Sequence, residues 1–168
     1  MKTLLKTIVL LFIFILGCKK DNSSIDKKGV DLYISQLRST QYIHIELPAF
    51  TPAKIPELLE YRNDTTTITN FPYNGISSYA PSSYHLGMVV LWTIESIRAV
   101  EINSKYLVGR CPSQNPILAL KDSPSVWFHD DQSQFEAAKA YYDWWNSNLP
   151  LNDKLIIDPL ESTKYRWH

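Results

Sequence analysis

Cysteine is nearly absent from this 168-residue chain, with only Cys18 and Cys111. At most one disulfide is possible, which excludes a small fold stapled by several bridges. Neither sign of charge is in surplus: seventeen Lys and Arg face seventeen Asp and Glu. Binding nucleic acid through its phosphates needs a basic excess on one face, so this balance argues against that partner. No unbroken apolar run approaches the roughly 20 residues of a membrane-spanning helix. Internal repeats and low-complexity segments are missing, which leaves no sign of a solenoid. Gly-x-x-x-x-Gly-Lys, Gly-x-Ser-x-Gly and His-Glu-x-x-His are missing too. Nucleotide, serine-hydrolase and zincin readings therefore have no support, and no cofactor or metal is expected. Aromatics, by contrast, are plentiful: five Trp, ten Tyr and six Phe. Each buries ~150–250 Å² in a packed interior, so apolar burial must supply the stability that disulfides do not.

The first residues carry an address. Lys2 and Lys6 precede nine apolar residues, Ile8 to Leu16, and then Gly17-Cys18. A core this short after lysines reads as a targeting segment. Leu16-Gly17-Cys18 resembles the lipobox of bacterial lipoproteins, in which cleavage precedes the cysteine and its sulfur carries a diacylglycerol. The rival reading is an ordinary secretory signal with a chance cysteine near its end. The lipobox reading predicts a signal peptide over 1–17, lipidation at Cys18, a polar tether over 18–28 and one domain over 29–168. The mature part then holds fifteen basic against seventeen acidic residues. Membrane contact would come from acyl chains rather than charge, each buried methylene contributing ~0.8 kcal/mol. Lys19 after the cysteine, where an aspartate would point to the inner membrane, favours the outer membrane.

Periodicity predicts the elements. Val30, Tyr33, Ile34 and Leu37 recur at three and four, which predicts a helix from about Asp26 to Ser39. Tyr42 to Leu47 alternates, with Ile43, Ile45 and Leu47 on one side; a short strand or an extended connection is expected. Pro56 to Arg62 predicts a short helix. From Asn63 to Ser83 turn formers dominate, and Phe71, Tyr73, Tyr79 and Tyr84 predict a long loop that packs down. Leu86 to Ile102 starts apolar on every side and predicts the central helix, with Glu95 and Arg98 paired on another face. Proline and glycine between Lys105 and Asp131 leave room only for short apolar pieces. Asp131 to Asn148 predicts a helix opened by a Ser133–Glu136 capping box, with Phe135, Ala138, Tyr142 and Trp145 as its core stripe. Leu155-Ile156-Ile157 is a last short apolar piece.

Few residues could carry chemistry. Cys111, beside Arg110, could act as a nucleophile if His44, His85 or His129 reached it; a buried inert thiol is the plainer reading. His129-Asp130-Asp131 could hold a divalent cation with His44 and Glu46, but aspartate at a helix start is also an expected cap. Tyr141 and Trp144 lie about 100° round the helix from the core stripe. A second aromatic face needs cover, from another helix, a partner or a sugar ring, so both are candidate ligand-binding residues.

Ile55-Pro56-Glu57-Leu58-Leu59-Glu60-Tyr61-Arg62-Asn63-Asp64 and Leu86 through Arg98, with the lipobox, resemble a family of short bacterial lipoproteins known only as a domain of unknown function. The same two segments resemble HEAT-type helices. The resemblance covers about a quarter of the chain and implies no activity, so it brings no site residues. The expectation is a mainly α fold: a small helical domain, HEAT-like in packing, with one or two short strands and a long loop. Its expected role is a non-catalytic binding or scaffold module, lipid-anchored in the cell envelope and facing the periplasm or the outside. Its expected partner is an envelope protein or a glycan. The alternative is an envelope hydrolase using Cys111 or His129.

Overall fold

Helix α1 (Ser23–Arg38) opens the computed structural model, which describes residues 23–79 and 81–168. The expected signal peptide and Cys18 lie outside the described residues. Val30, Tyr33, Ile34 and Leu37 are all buried, so the stripe at three and four forms the inner face of α1. The helix begins three residues before the expected Asp26, inside the segment read as tether.

The chain then runs through residues 42–50 without forming a strand. Tyr42 and Leu47 are buried, while Ile43 is 84% and Ile45 56% exposed. The alternation therefore does not mark a buried face. Tyr42 Oη donates to the Glu46 carbonyl at 2.6 Å, which curls the segment back on itself. A single 3₁₀ turn, Pro52–Lys54, leads into the five-residue helix α2 (Ile55–Leu59). Pro56 stands in its first turn, where its missing N–H is no loss.

Strands β1 (Thr67–Ile68) and β2 (Tyr84–His85) pair antiparallel and enclose the long loop between them. Phe71 and Tyr79 are half-buried and Tyr84 is buried, as a loop that packs down requires; Tyr73 is exposed. Helix α3 (Leu86–Glu101) follows β2 directly, and every residue from Leu86 to Ile97 is buried. It is the centre of the core, with α1, α2 and α4 (Asp131–Trp145) packed about it. Strands β3 (Leu118–Leu120), β4 (Trp127–Phe128) and β5 (Tyr165–Trp167) form a second antiparallel sheet, in the order β4-β3-β5. Helix α5 (Leu151–Ile156) lies between α4 and β5 in the chain.

The expectation of a mainly α, HEAT-like domain is thus overturned: this is a mixed α/β fold with five helices and two small antiparallel sheets among the described residues. A HEAT unit pairs two helices of several turns each, and α2 has little more than one. Of the strands only β3 falls on a piece, Ile117 to Leu120, that the sequence offers as strand or single helical turn; the others are two or three residues long, too short to show a period of two. Their partners are also remote: Leu118 lies opposite both Phe128 and Trp167.

Two further expectations are corrected in α4. Its cap is Asp130, whose side chain accepts from Ser133 N at 2.8 Å, rather than a Ser133–Glu136 box. Its buried face carries Ala137, Ala138, Tyr141 and Trp144; of the expected stripe Ala138 is buried and Trp145 packs partly against the core, whereas Phe135 and Tyr142 are 58% and 45% exposed. Both faces are apolar enough to serve, and the choice falls to hydrogen bonding. Tyr141 Oη donates to Glu95 Oε2 at 2.8 Å and accepts from Trp167 Nε1 at 2.8 Å. The Glu95–Arg98 pair, expected on another face than the apolar line, forms and is buried with them, at 2.6 Å between Arg98 Nη2 and Glu95 Oε1. Burial pushes the Glu95 carboxyl up, against the guanidinium that holds it down.

Candidate functional site

Gly87 decides how α3 begins. A Cβ there would meet the Arg62 carbonyl at 2.5 Å and run into the Gln134 amide. The missing side chain lets residues 62–66 clasp the helix end: Gly87 N donates to the Asp64 carbonyl at 2.8 Å and Leu86 N to that of Thr66 at 2.9 Å. Gln134, buried on α4, closes the clasp by donating Nε2 to the Asp64 carbonyl at 3.1 Å. Its Oε1 is then the acceptor for His85 Nδ1 at 2.8 Å, which places that ring's proton on Nδ1. Asp131 Oδ1 stands 3.5 Å from the same nitrogen.

This clasp positions a cleft. The Tyr84 and His129 rings stack, with centroids 5.8 Å apart and planes 20° from parallel. Tyr79 Oη lies 3.2 Å from His129 Nε2. Burial and the neighbouring His85 hold the His129 imidazole below its ordinary value. Tyr79 also meets Trp127 at 4.8 Å and His168 at 6.5 Å, and Trp127 meets His168 at 4.5 Å. Asn115, buried beneath, donates to the Tyr79 carbonyl at 3.0 Å and accepts from His168 Nδ1 at 3.2 Å. Burial, aided by Arg166, lowers His168 as well.

Two cavities flank Tyr79, Pro81 and Tyr84. One, of about 360 Å³, opens between Thr67, Ser82, Ser83, His85 and His129. The other, of about 350 Å³, opens between Asn70, Phe71, Asn74 and Asn115. Neither is lined by Lys, Arg, Asp or Glu. Tyr84 is 4% exposed, and among the described residues its buried hydroxyl has no hydrogen-bond partner. Leaving such a group unmade costs ~1–3 kcal/mol.

The expected site residues do not converge. His129 borders the first cavity, and Trp144 lines a separate one of about 330 Å³ with Ile157 and Pro159. Trp144 is 7% exposed and donates Nε1 to the Lys154 carbonyl; Tyr141 has no exposed surface. Cys111 is buried, and burial with the Glu46 charge pushes its thiol up to about 11. Arg110 does not activate it, and no histidine hydrogen-bonds to it among the described residues. Asp130 is spent on the helix cap and Asp131 faces His85. Among the described residues no three of His, Cys, Asp and Glu gather as metal ligands.

Sequence reasoning missed Tyr79, Trp127, His85 and His168 as neighbours. The available signal was weak: His85 and His129 each stand immediately before or near a helix start, which the periodicity located.

Residues 24–168 match the family model of a domain of unknown function, DUF4943. The chain belongs to the DUF4943 family. Neither the curated proteins nor the solved structures yield a match. The DUF4943 match spans every described element except the first residue of α1, so cleft, clasp and both sheets all fall within the family domain.

Proposed function

We propose that this DUF4943 chain is a lipid-anchored binding module of the bacterial cell envelope, held at the outer membrane through Cys18, and that its cleft takes an uncharged glycan. The observation that carries the ligand class is the lining: the Tyr79, Tyr84 and His129 rings, with Trp127 packed against Tyr79, beside Asn, Ser and Thr and with no Lys, Arg, Asp or Glu. Sugar rings stack their C–H faces on aromatics, and their hydroxyls pair with amides and hydroxyls. The anchoring part rests on Leu16-Gly17-Cys18.

Among the described residues no histidine hydrogen-bonds to Cys111, whose thiol is pushed up, and the His129 ring hydrogen-bonds only to the Tyr79 hydroxyl, so the hydrolase alternative has no activated thiol to support it. Calorimetry with soluble oligosaccharides from cell-wall glycan should show saturable binding. Tyr79→Ala and Trp127→Ala should each weaken it about tenfold, or ~1.4 kcal/mol. Binding that these variants leave unchanged, or no binding at all, would remove the glycan reading. Separately, Cys18→Ser should move the native protein from the detergent phase to water and delete acyl mass from its amino end.

A further inference from the structure

A second groove lies between α1 and residues 42–50, and shares no lining residue with the cleft. Its volume is about 410 Å³, within the range of small-molecule sites. Leu32, Tyr33, Tyr42, Leu47, Pro48 and Phe50 wall it with apolar surface. One guanidinium lines it, that of Arg110.

Arg110 is unlike the other arginines. Arg38 pairs with Asp64, Arg62 donates to the Leu59 carbonyl, Arg98 holds Glu95, and Arg166 donates to the Trp167 carbonyl. Arg110 donates to nothing among the described residues, and its Nε is buried without a partner. A guanidinium cannot shed its charge to escape such a position. Its five donors lie in a plane that fits a carboxylate two bonds at a time.

We propose that this groove binds a monocarboxylate with an aliphatic tail. The carboxylate takes up the unused Arg110 donors and the tail lies along the aromatic and aliphatic walls. His44, on the same lining, supplies a second donor. Glu46 also lines the groove and forms no ion pair with Arg110. Its charge offsets that of the arginine, so a dianion such as a phosphate monoester is disfavoured while a single carboxylate is tolerated.

Equilibrium dialysis of the full chain against octanoate, octanol and acetate tests this. Octanoate should bind saturably at one per chain. Octanol, which lacks the head, and acetate, which lacks the tail, should each bind at least tenfold more weakly. Arg110→Gln should weaken octanoate at least tenfold. Arg110→Lys keeps the charge without the fork; it should weaken octanoate several-fold, and it stands in should the glutamine variant not fold. Tyr79→Ala should leave octanoate binding unchanged, which separates this groove from the glycan cleft. Octanol equal to octanoate, full binding by either arginine variant, or no saturable uptake would each overturn the proposal.

Discussion

Gly87 and Gln134 show how much one position can decide. Neither belongs to a motif, yet together they join α3, α4 and the 62–66 turn, and so set where His85 points. Gly87→Ala should lower the stability of the fold by about 1–3 kcal/mol, since a backbone carbonyl cannot step aside as a side-chain tip can. Urea denaturation measures it; an unchanged midpoint would mean that the clasp is looser than its distances. Tyr141 makes the same point from inside. Its hydroxyl joins Glu95 to Trp167 within the buried core. Tyr141→Phe should cost about 1–3 kcal/mol for the unmet partners left behind, although it removes only one atom. The aromatic character of Tyr141 was legible in the sequence; its hydroxyl's task was not, because the partners stand 46 and 26 residues away.

Among the elements, the long helices were legible and the short strands were not. Helix α3 was evident because an apolar run with no free face must be surrounded, and it is. Helix α4 was evident in extent, but its inner face was not: Phe135 and Tyr142 make as good a stripe as Ala137, Tyr141 and Trp144. Periodicity reports that a helix has an apolar face, and when it has two, the neighbours choose. The start of α4 depends on the Asp130 side chain, and Asp130→Ala should remove about 1 kcal/mol. Amide exchange should show the first turn of α4, Asp131 to Gln134, opening faster, with the later turns protected as before. The same backbone hydrogen bond from Ser133 holds the Asp130 carboxyl below its ordinary value, so its contribution is present near neutrality and lost only in strong acid.

For the whole molecule, pH is the sharpest handle. His129 and His168 are both held below the ordinary 6.5, chiefly by burial. As pH falls through 6.5, the unfolded chain takes up protons first, so the stability these neutral rings contribute is present above that value and lost below it. The melting temperature should fall between pH 7.5 and 5, and the double variant His129→Gln, His168→Gln should fall less. An identical slope in both proteins would assign the acid sensitivity elsewhere. By itself the sequence determined the central helix, the absence of a disulfide framework and the packed-down loop. These follow from composition and from periods that repeat within one segment. Only the tertiary structure decided that the fold is mixed α/β, that Tyr141 faces inward, and that His129 and His168 meet at Tyr79. Each of those depends on which distant segments come together, and two-residue strands and single histidines carry no pattern that names their partners.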